Sequence, residues 1–335
     1  MKTFLSRKEG CFMYDYKSDL APYMRSFLDY KKSMGHKIVD FLTTFREIDK
    51  LFTDKDVKIS DLSQDIIEDW YNLNVNIKMI TLYTKAVKLI QLCKYINRLG
   101  VSCFVPRLPR NRENGYLPYI FSHSEMKTFF KMIDSAAQDC RTCISVVFAI
   151  PTILRLLYAT GMRVSEAIGL KNKDVDFDRR TITVLYTKTR RDRIIPINDS
   201  LYHVLRQYAN ARNRLPVKDV TAEDAPFFID HKDTPYTKKR VYEWFRHTLE
   251  CCGIPHGGRG YGPRLHDLRH TFAVHSLAQM VEKGMDIYCA LPILSIYIGH
   301  TSVASTEKYV RLTQEIFPKI IGKFPEINLT INEYE

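Results

Sequence analysis

The chain has 335 residues, of which 45% are hydrophobic and 26% charged; this excludes a mainly disordered chain and suggests two to three domains. Fourteen glycines and fourteen prolines exclude collagen-like and low-complexity architectures. Fifty Lys and Arg against 38 Asp and Glu give a formal charge of +12, which favours a polyanionic partner, nucleic acid ahead of an anionic membrane.

Residues 1–17 read as a loose arm. From Leu20 to Leu99 apolar residues recur at three- and four-residue steps, with Gly35 the only glycine and Pro22 the only proline, so helices joined by short turns are expected. Ser60 and Ser63 are candidate caps for a helix near 61–72. The last helix, Asn76 to Leu99, carries Lys78, Lys85, Lys88, Lys94 and Arg98 and no acid. Such a helix either shows a solvated face over packed apolar residues or lies along a DNA groove with its lysines on phosphates. Residues 104–118 break the pattern with Pro106, Pro109, Pro118 and Gly115 and read as a linker; Arg107, Arg110 and Arg112 sit there for a passing polyanion. The basic excess is shared evenly: 19 basic and 13 acidic residues in 1–110, 31 and 25 in 111–335, +6 for each part.

A second, mostly helical domain follows over 119–317. Helices are expected at 123–135, 144–159 and 164–170. Residues 181–197, TITVLYTKTRRDRIIPI, change period to two β-rich runs around a basic tip, a hairpin. Helices resume at 199–212, 237–250, 267–283, 290–298 and 303–313. A short tail, 318–335, is partly apolar (Ile320, Ile321, Phe324, Ile327, Leu329, Ile331).

The eight cysteines form no disulfide framework, and the single CxxC, Cys140 to Cys143, has no partner pair for a zinc site. Reduced thiols, no apolar run suited to a signal peptide and no stretch of 18 apolar residues point to a cytoplasmic protein, nucleoid-associated when on DNA, with no membrane span.

Four islands in the second domain carry chemistry. In Ala-Thr-Gly-Met-Arg-Val-Ser-Glu, 159–166, Gly161 breaks one helix and Arg163 opens the next, where a guanidinium and free N–H groups meet anions; Glu166 lies three residues on, placed to hold that guanidinium. By itself this pair is ordinary surface. Lys188, in TKTRRDR with Arg190 and Arg191, sits at the hairpin tip, by default a solvated charge. In His266-Asp-Leu-Arg269-His270 the histidine and arginine three apart share a helix face and can donate to one phosphate, while His270 reads as a packed or hydrogen-bonded neighbour on another face. In Ile-Gly-His300-Thr-Ser, a helix ends at Gly299, His300 takes the turn and a new helix brings round Tyr309, one of twenty tyrosines.

In this order, Arg…Lys…His-x-x-Arg…Gly-His…Tyr closely resembles the tyrosine recombinase (phage integrase) family over about 117–315, and the helical 20–100 segment resembles that family's core-binding domain in length and character. One departure is the 30 residues between Arg269 and His300, longer than in compact members; the ALPILSIYIGH wording looks more like mobile-element members than chromosome-resolution enzymes. The resemblance implies a mainly α (α+β) fold: a helical, SAM-like core-binding domain over 18–103 and a mixed α/β catalytic domain with a small antiparallel hairpin. It implies a site-specific DNA recombinase that cleaves and rejoins double-stranded DNA through a 3′-phosphotyrosyl intermediate, as a tetramer on two sites, with the tail docking on a neighbouring protomer or on its own domain. Tyr309 looks like the nucleophile, and Arg163, Lys188, His266, Arg269 and His300 look like the basic set around it.

The chemistry wants these groups. A tyrosine hydroxyl can attack phosphorus and keep the bond energy for religation. The transition state gains negative charge on its non-bridging oxygens, which Arg163 and Arg269 can clamp with forked donors. His266 and His300 add donors, His266 can take the tyrosine proton, and Lys188 can protonate the leaving 5′-oxygen. With the positive charge supplied by side chains, no metal or cofactor is expected. Lys78, Lys85, Lys88, Arg107, Arg110, Arg190 and Arg191 are the expected phosphate contacts. Two alternatives stand beside the recombinase: a type IB-like topoisomerase, which would not join ends from two duplexes, and a non-catalytic DNA-binding protein, which should have lost part of the set.

Overall fold

The computed structural model describes residues 14–74, 77–109, 117–139, 144–185, 192–229, 234–258, 261–300 and 304–316. The chain divides into two compact units, Met1–Tyr116 and Leu117–Glu335.

Among the described residues the first unit has four α-helices: α1 (Ala21–Ser33), α2 (Val39–Asp54), α3 (Gln64–Leu73) and α4 (Met79–Arg98). Apolar residues at helical spacing, Met24 and Phe27 on α1, Phe45, Ile48 and Phe52 on α2, and Leu89, Leu92 and Ile96 on α4, converge with Trp70 of α3 in one core. Asp49, 1% exposed, hangs the entering chain from α2: its carboxylate accepts the Lys17 N–H (3.0 Å), the Ser18 N–H (2.9 Å) and the Ser18 hydroxyl (2.7 Å). At the exit, the Asn97 side chain donates to the Cys103 carbonyl (2.7 Å) and accepts its N–H (2.9 Å). The helix expected near 61–72 starts at Gln64: Ser60 lies in a short 3-10 turn, and Ser63 takes the N-cap position without a side-chain bond.

The second unit runs α5 (His123–Asp139), α6 (Ile144–Thr160), α7 (Val164–Ala167), β1 (Val175–Asp176), β2 (Thr181–Val184), β3 (Arg193–Pro196), α8 (Asp199–Arg212), α9 (Lys238–Cys251), α10 (Asp267–Glu282), α11 (Ile287–Ile298) and α12 (Ala304–Ile316). The expected hairpin is present as β2 and β3, with Ile182 opposite Ile195 and Val184 opposite Arg193, and a two-residue strand β1 extends it to an antiparallel sheet β1-β2-β3. Ile182 and Ile195 turn inward to a core of Phe121, Phe129, Leu154, Phe228 and Phe245.

Helices α5 and α12 run past their expected ends, to Asp139 and Ile316, and α7 and α11 differ for local reasons. The helix expected over 164–170 stops at Ala167, and the Leu170 carbonyl accepts the Phe227 N–H (2.7 Å) instead. The helix expected over 290–298 begins at Ile287, because Asp286 caps it by accepting the Tyr288 (2.8 Å) and Cys289 (3.1 Å) N–H groups. The long interval between Arg269 and His300 is thus spent on most of α10, a turn and all of α11. Helix α10 is central, packed against α6, α11 and α12, and its Val274 and Leu277 meet Ile287, Leu291, Leu294 and Leu312. No helix among the described residues is long and apolar enough to cross a membrane.

Candidate active site

The site forms where α6, α7, α11 and α12 end against the start of α10. Gly161, at φ +61°, turns the chain out of α6, and a Cβ there would sit 2.4 Å from the Phe272 ring. This turn delivers Arg163 to the N-cap of α7. At this helix start the Arg163 N–H is taken by Glu166 Oε2 (3.0 Å), while Glu166 Oε1 accepts Arg163 Nη1 (2.8 Å). Glu166 is thus bonded to both the backbone and the guanidinium of Arg163. Its carboxyl lies below the usual range, because bonds from Arg193 and then Arg163 outweigh the burial that pushes it up.

Arg269, 2% exposed, is held by two carbonyls: Nη1 donates to Gly161 O (2.6 Å) and Nη2 to Ile298 O (2.6 Å). The latter carbonyl closes α11, where the negative end of the helix dipole favours a cation. Burial, then the charge of Arg163, lowers the Arg269 pKa to about 10, and Tyr309 and Glu166 work against that drop. His266 sits at the N-cap of α10 with an exposed edge. Desolvation, then Arg269, Arg163 and Lys308, holds its pKa at about 4.

The turn into α12 follows Gly299, the left-handed cap of α11 (φ +71°), and leaves His300 half-buried with Nδ1 2.9 Å from the Thr306 hydroxyl. Its pKa is also held at about 4, by desolvation and then Arg269, Lys308 and Arg163. Tyr309 is fully buried. Its ring lies nearly parallel to His300 at 6.2 Å, with Lys308 Nζ 5.2 Å from the ring centre, and burial raises its pKa to about 12 against the pull of Arg269 and Arg163. The Tyr309 hydroxyl meets His270 Nδ1 at 2.7 Å. Arg163, His266, Arg269, His300 and Tyr309 are thus gathered around one point, from four segments spread over about 150 residues.

The family model described as the Phage integrase family matches residues 120–315, more than half of the chain. The chain belongs to the phage integrase family. Among curated members, the putative integrase/recombinase y4rB of Sinorhizobium fredii (strain NGR234) is 30% identical over 209 residues, 62% of this chain and 65% of that protein. The tyrosine recombinase XerA of Pyrococcus furiosus is 28% identical over 247 residues, 71% of each. The match to y4rB therefore spans just under two thirds of that relative. The fold is similar to the Tn1549 transposon integrase solved with transposon right-end DNA, with a TM-score of 0.63 at 16% identity, covering 88% of this chain and 99% of that one. It is also similar to the XerH site-specific recombinase bound to difH in a post-cleavage complex, at 0.62 and 17%, covering 83% and 77%. Both likenesses are of fold.

The site also holds His270, which the sequence reads as a packed or hydrogen-bonded neighbour, and two groups that sequence reasoning passes over, Lys308 and Arg193. His270 was set on another face from His266; the i, i+4 spacing instead puts the two rings 4.9 Å apart, and it is His270, not His266, that bonds Tyr309. Burial, then Lys308 and His266, lowers the His270 pKa to about 3, so the ring that meets the Tyr309 hydroxyl is neutral. Lys308 feeds positive charge to His266, His270 and His300 from the position before Tyr309. Arg193, at the root of the hairpin, binds Glu166 from the other side (Nη2 to Oε2, 2.8 Å). The i, i+4 spacing was a legible signal for the first; Arg193 was hidden in a run of basic residues.

The expected DNA contacts divide. Lys78 and Arg107 are exposed. The Arg107 backbone is tied to α3, its N–H to Gln64 Oε1 (3.1 Å) and its carbonyl to the Tyr71 hydroxyl (3.0 Å), which leaves the guanidinium outward. Lys85 forms a partly buried ion pair with Glu47 (2.6 Å), and Lys88 donates to the Asp40 carbonyl, so both have internal partners. Lys188, Arg190, Arg191, Arg110 and the tail lie outside the described residues. Among the described residues no group of three His, Cys, Asp or Glu side chains is placed to hold a metal ion.

Proposed function

We propose that this chain is a tyrosine-type site-specific DNA recombinase, cleaving and rejoining double-stranded DNA through a 3′-phosphotyrosyl intermediate. The observation that carries it is the convergence of Arg163, His266, Arg269 and His300 on Tyr309, in a chain of the phage integrase family. Tyr309 Oη attacks the scissile phosphorus, forming the phosphotyrosyl bond as the bond to the 5′-oxygen breaks. Arg163 and Arg269 neutralise the non-bridging oxygens; each terminal nitrogen of Arg269 keeps a second N–H after bonding its carbonyl. His266 and His300 add donors, and Lys188 on the hairpin tip protonates the leaving 5′-hydroxyl. Religation reverses these steps with a 5′-hydroxyl from a second duplex.

The buried Tyr309 requires one further step. With its hydroxyl capped by His270, the nucleophile must be drawn out before it can reach phosphorus. DNA engagement that displaces α12 supplies that step, and separates the cutting-competent state from the resting one.

The partner is duplex DNA carrying recombination sites. Two solved structures similar in fold are a lambda integrase dimer on a core site and a lambda integrase tetramer on a Holliday junction, and a tetramer on two sites is the assembly proposed here. The outward face of α11 (Tyr288, Cys289, Pro292, Ile293, Ile296) is exposed and carries no charge, a surface suited to covering by another apolar segment such as the tail at 318–331.

The test is covalent trapping. Nicked suicide duplexes cut from the DNA flanking the gene are incubated with the protein in EDTA and resolved in SDS. An SDS-stable adduct that disappears in Tyr309→Phe is expected. An adduct that persists in that variant would overturn the choice of nucleophile, and tight DNA binding with no adduct would favour a non-catalytic role.

A further inference from the structure

Arg193 opens β3, paired with Val184 at the root of the tip that carries Lys188. Its side chain is only 8% exposed, and its Nε and Nη1 groups are buried with no partner among the described residues. Its ion pair among the described residues is with Glu166, itself 6% exposed, whose carboxylate is shared with Arg163. Two guanidiniums therefore flank one buried carboxylate. On the other side, a Cβ added to Gly299 would lie 3.2 Å from Arg193 Nη1 and 3.5 Å from Cδ and Cζ, so the Arg193 side chain is laid against the turn that presents His300.

This arrangement is costly as a stabilising device. Buried charge triads are often replaced by apolar residues with no loss of stability, and unmet buried donors add a penalty. A reason other than stability is needed to keep it. The two ends of Arg193 supply one: a residue of the active site lies at each, and the hairpin root joins them.

Resting on the recombinase reading above, we propose that Arg193 is a positioning residue for strand cleavage, which aims the Arg163 guanidinium through Glu166 and fixes the Gly299–His300 turn by packing against it. It does not touch the phosphate. With Arg193 removed, Glu166 is held from one side only, and Arg163 can swing with it.

The test measures single-turnover adduct formation on a suicide duplex at saturating DNA, for the wild type, Arg193→Gln, Glu166→Gln and the double variant. Arg193→Gln is expected to slow adduct formation about tenfold or more, and by a clearly smaller factor in the Glu166→Gln background, where only its packing on the Gly299–His300 turn is left to lose. The same comparison is made on a duplex whose scissile phosphate is a methylphosphonate. That group lacks the charge Arg163 neutralises, so the Arg193→Gln defect should shrink there, whereas a general structural weakening would slow both substrates alike. Arg193→Lys, which keeps the charge but not the planar fork, should recover part of the rate; if Arg193→Gln fails to fold by circular dichroism and melting, the cycle is run with this variant. A wild-type rate in Arg193→Gln, equal defects with and without Glu166, or equal defects on both substrates would overturn the proposal. Absence of an adduct in the wild type would instead overturn the recombinase reading beneath it.

Discussion

The two compact units bury polar groups very differently. In the helical first unit the buried polar residues among those described are Ser18, Thr44 and Asp49, and Asp49 serves to hang the incoming chain on α2. In the second unit α10 alone buries Asp267, Arg269, His270, Thr271 and His275, and α12 adds Thr306, Thr313 and the hydroxyl of Tyr309. One core is apolar with a single polar anchor. The other is a packed core with a reactive site built through it, where charges and hydroxyls are held dry by carbonyls and by one another. The first unit can be read as a platform, whereas the second must keep an expensive interior in order to act.

Each unit contains one of the chain's two tryptophans, the buried Trp70 and the half-buried Trp244, so Trp70→Phe and Trp244→Phe backgrounds allow each unit's unfolding to be followed by fluorescence. The largest loss is expected for Arg269→Ala. It orphans the carbonyls of Gly161 and Ile298 and leaves a cavity, at a cost of about 3–5 kcal/mol. The Trp244-reported urea midpoint should fall accordingly; an unchanged midpoint would show that the site's charges are not structural. Gly161→Ala comes next. The new Cβ would clash with Phe272 at 2.4 Å in a left-handed backbone, a cost of about 2–4 kcal/mol, together with slower adduct formation because Arg163 follows on that turn.

These effects trace to features that differ in how far a sequence can reveal them. Spacings of three residues place His266 with Arg269 and Glu166 with Arg163, because within one helical turn sequence distance is spatial distance. The nine-residue step from His300 to Tyr309 survived for the same reason, since one turn and one helix span it. What was illegible depends on packing between distant elements. That His270 rather than His266 meets Tyr309 is decided by how α12 lies on α10. That Lys85 is drawn to Glu47 is decided by α2 lying beside α4, 38 residues away. The two-residue β1 is too short to leave a period, and α7 stops early because a carbonyl is recruited by a segment near 227.

The first unit offers the counterpart test. Asp49→Ala removes the acceptor of two backbone N–H groups and a hydroxyl, at a cost of about 2 kcal/mol read on Trp70. A loss equal to that of Arg269→Ala would erase the contrast between the units.

The smallest effect is acid sensitivity, and it sharpens the contrast most finely. Desolvation, with the neighbouring cations, holds folded His266 and His300 at about 4 and His270 at about 3, against an ordinary value of 6.5. His275 is held at about 4 by burial and then by His123. All four are neutral in the fold, so the unfolded chain takes up protons first as pH falls. Their stabilising share is complete above about pH 6.5 and is lost progressively between 6.5 and about 4, down to about 3 for His270. The first 116 residues contain one histidine, the exposed His36. Between pH 7 and pH 4.5 the Trp244 transition should therefore fall more steeply than the Trp70 transition, and His270→Gln should flatten that slope. Equal slopes would mean that the site histidines already carry protons in the folded protein, and the burial that holds His270 neutral beside Tyr309 would then be overruled by the unfolded-like uptake of a proton.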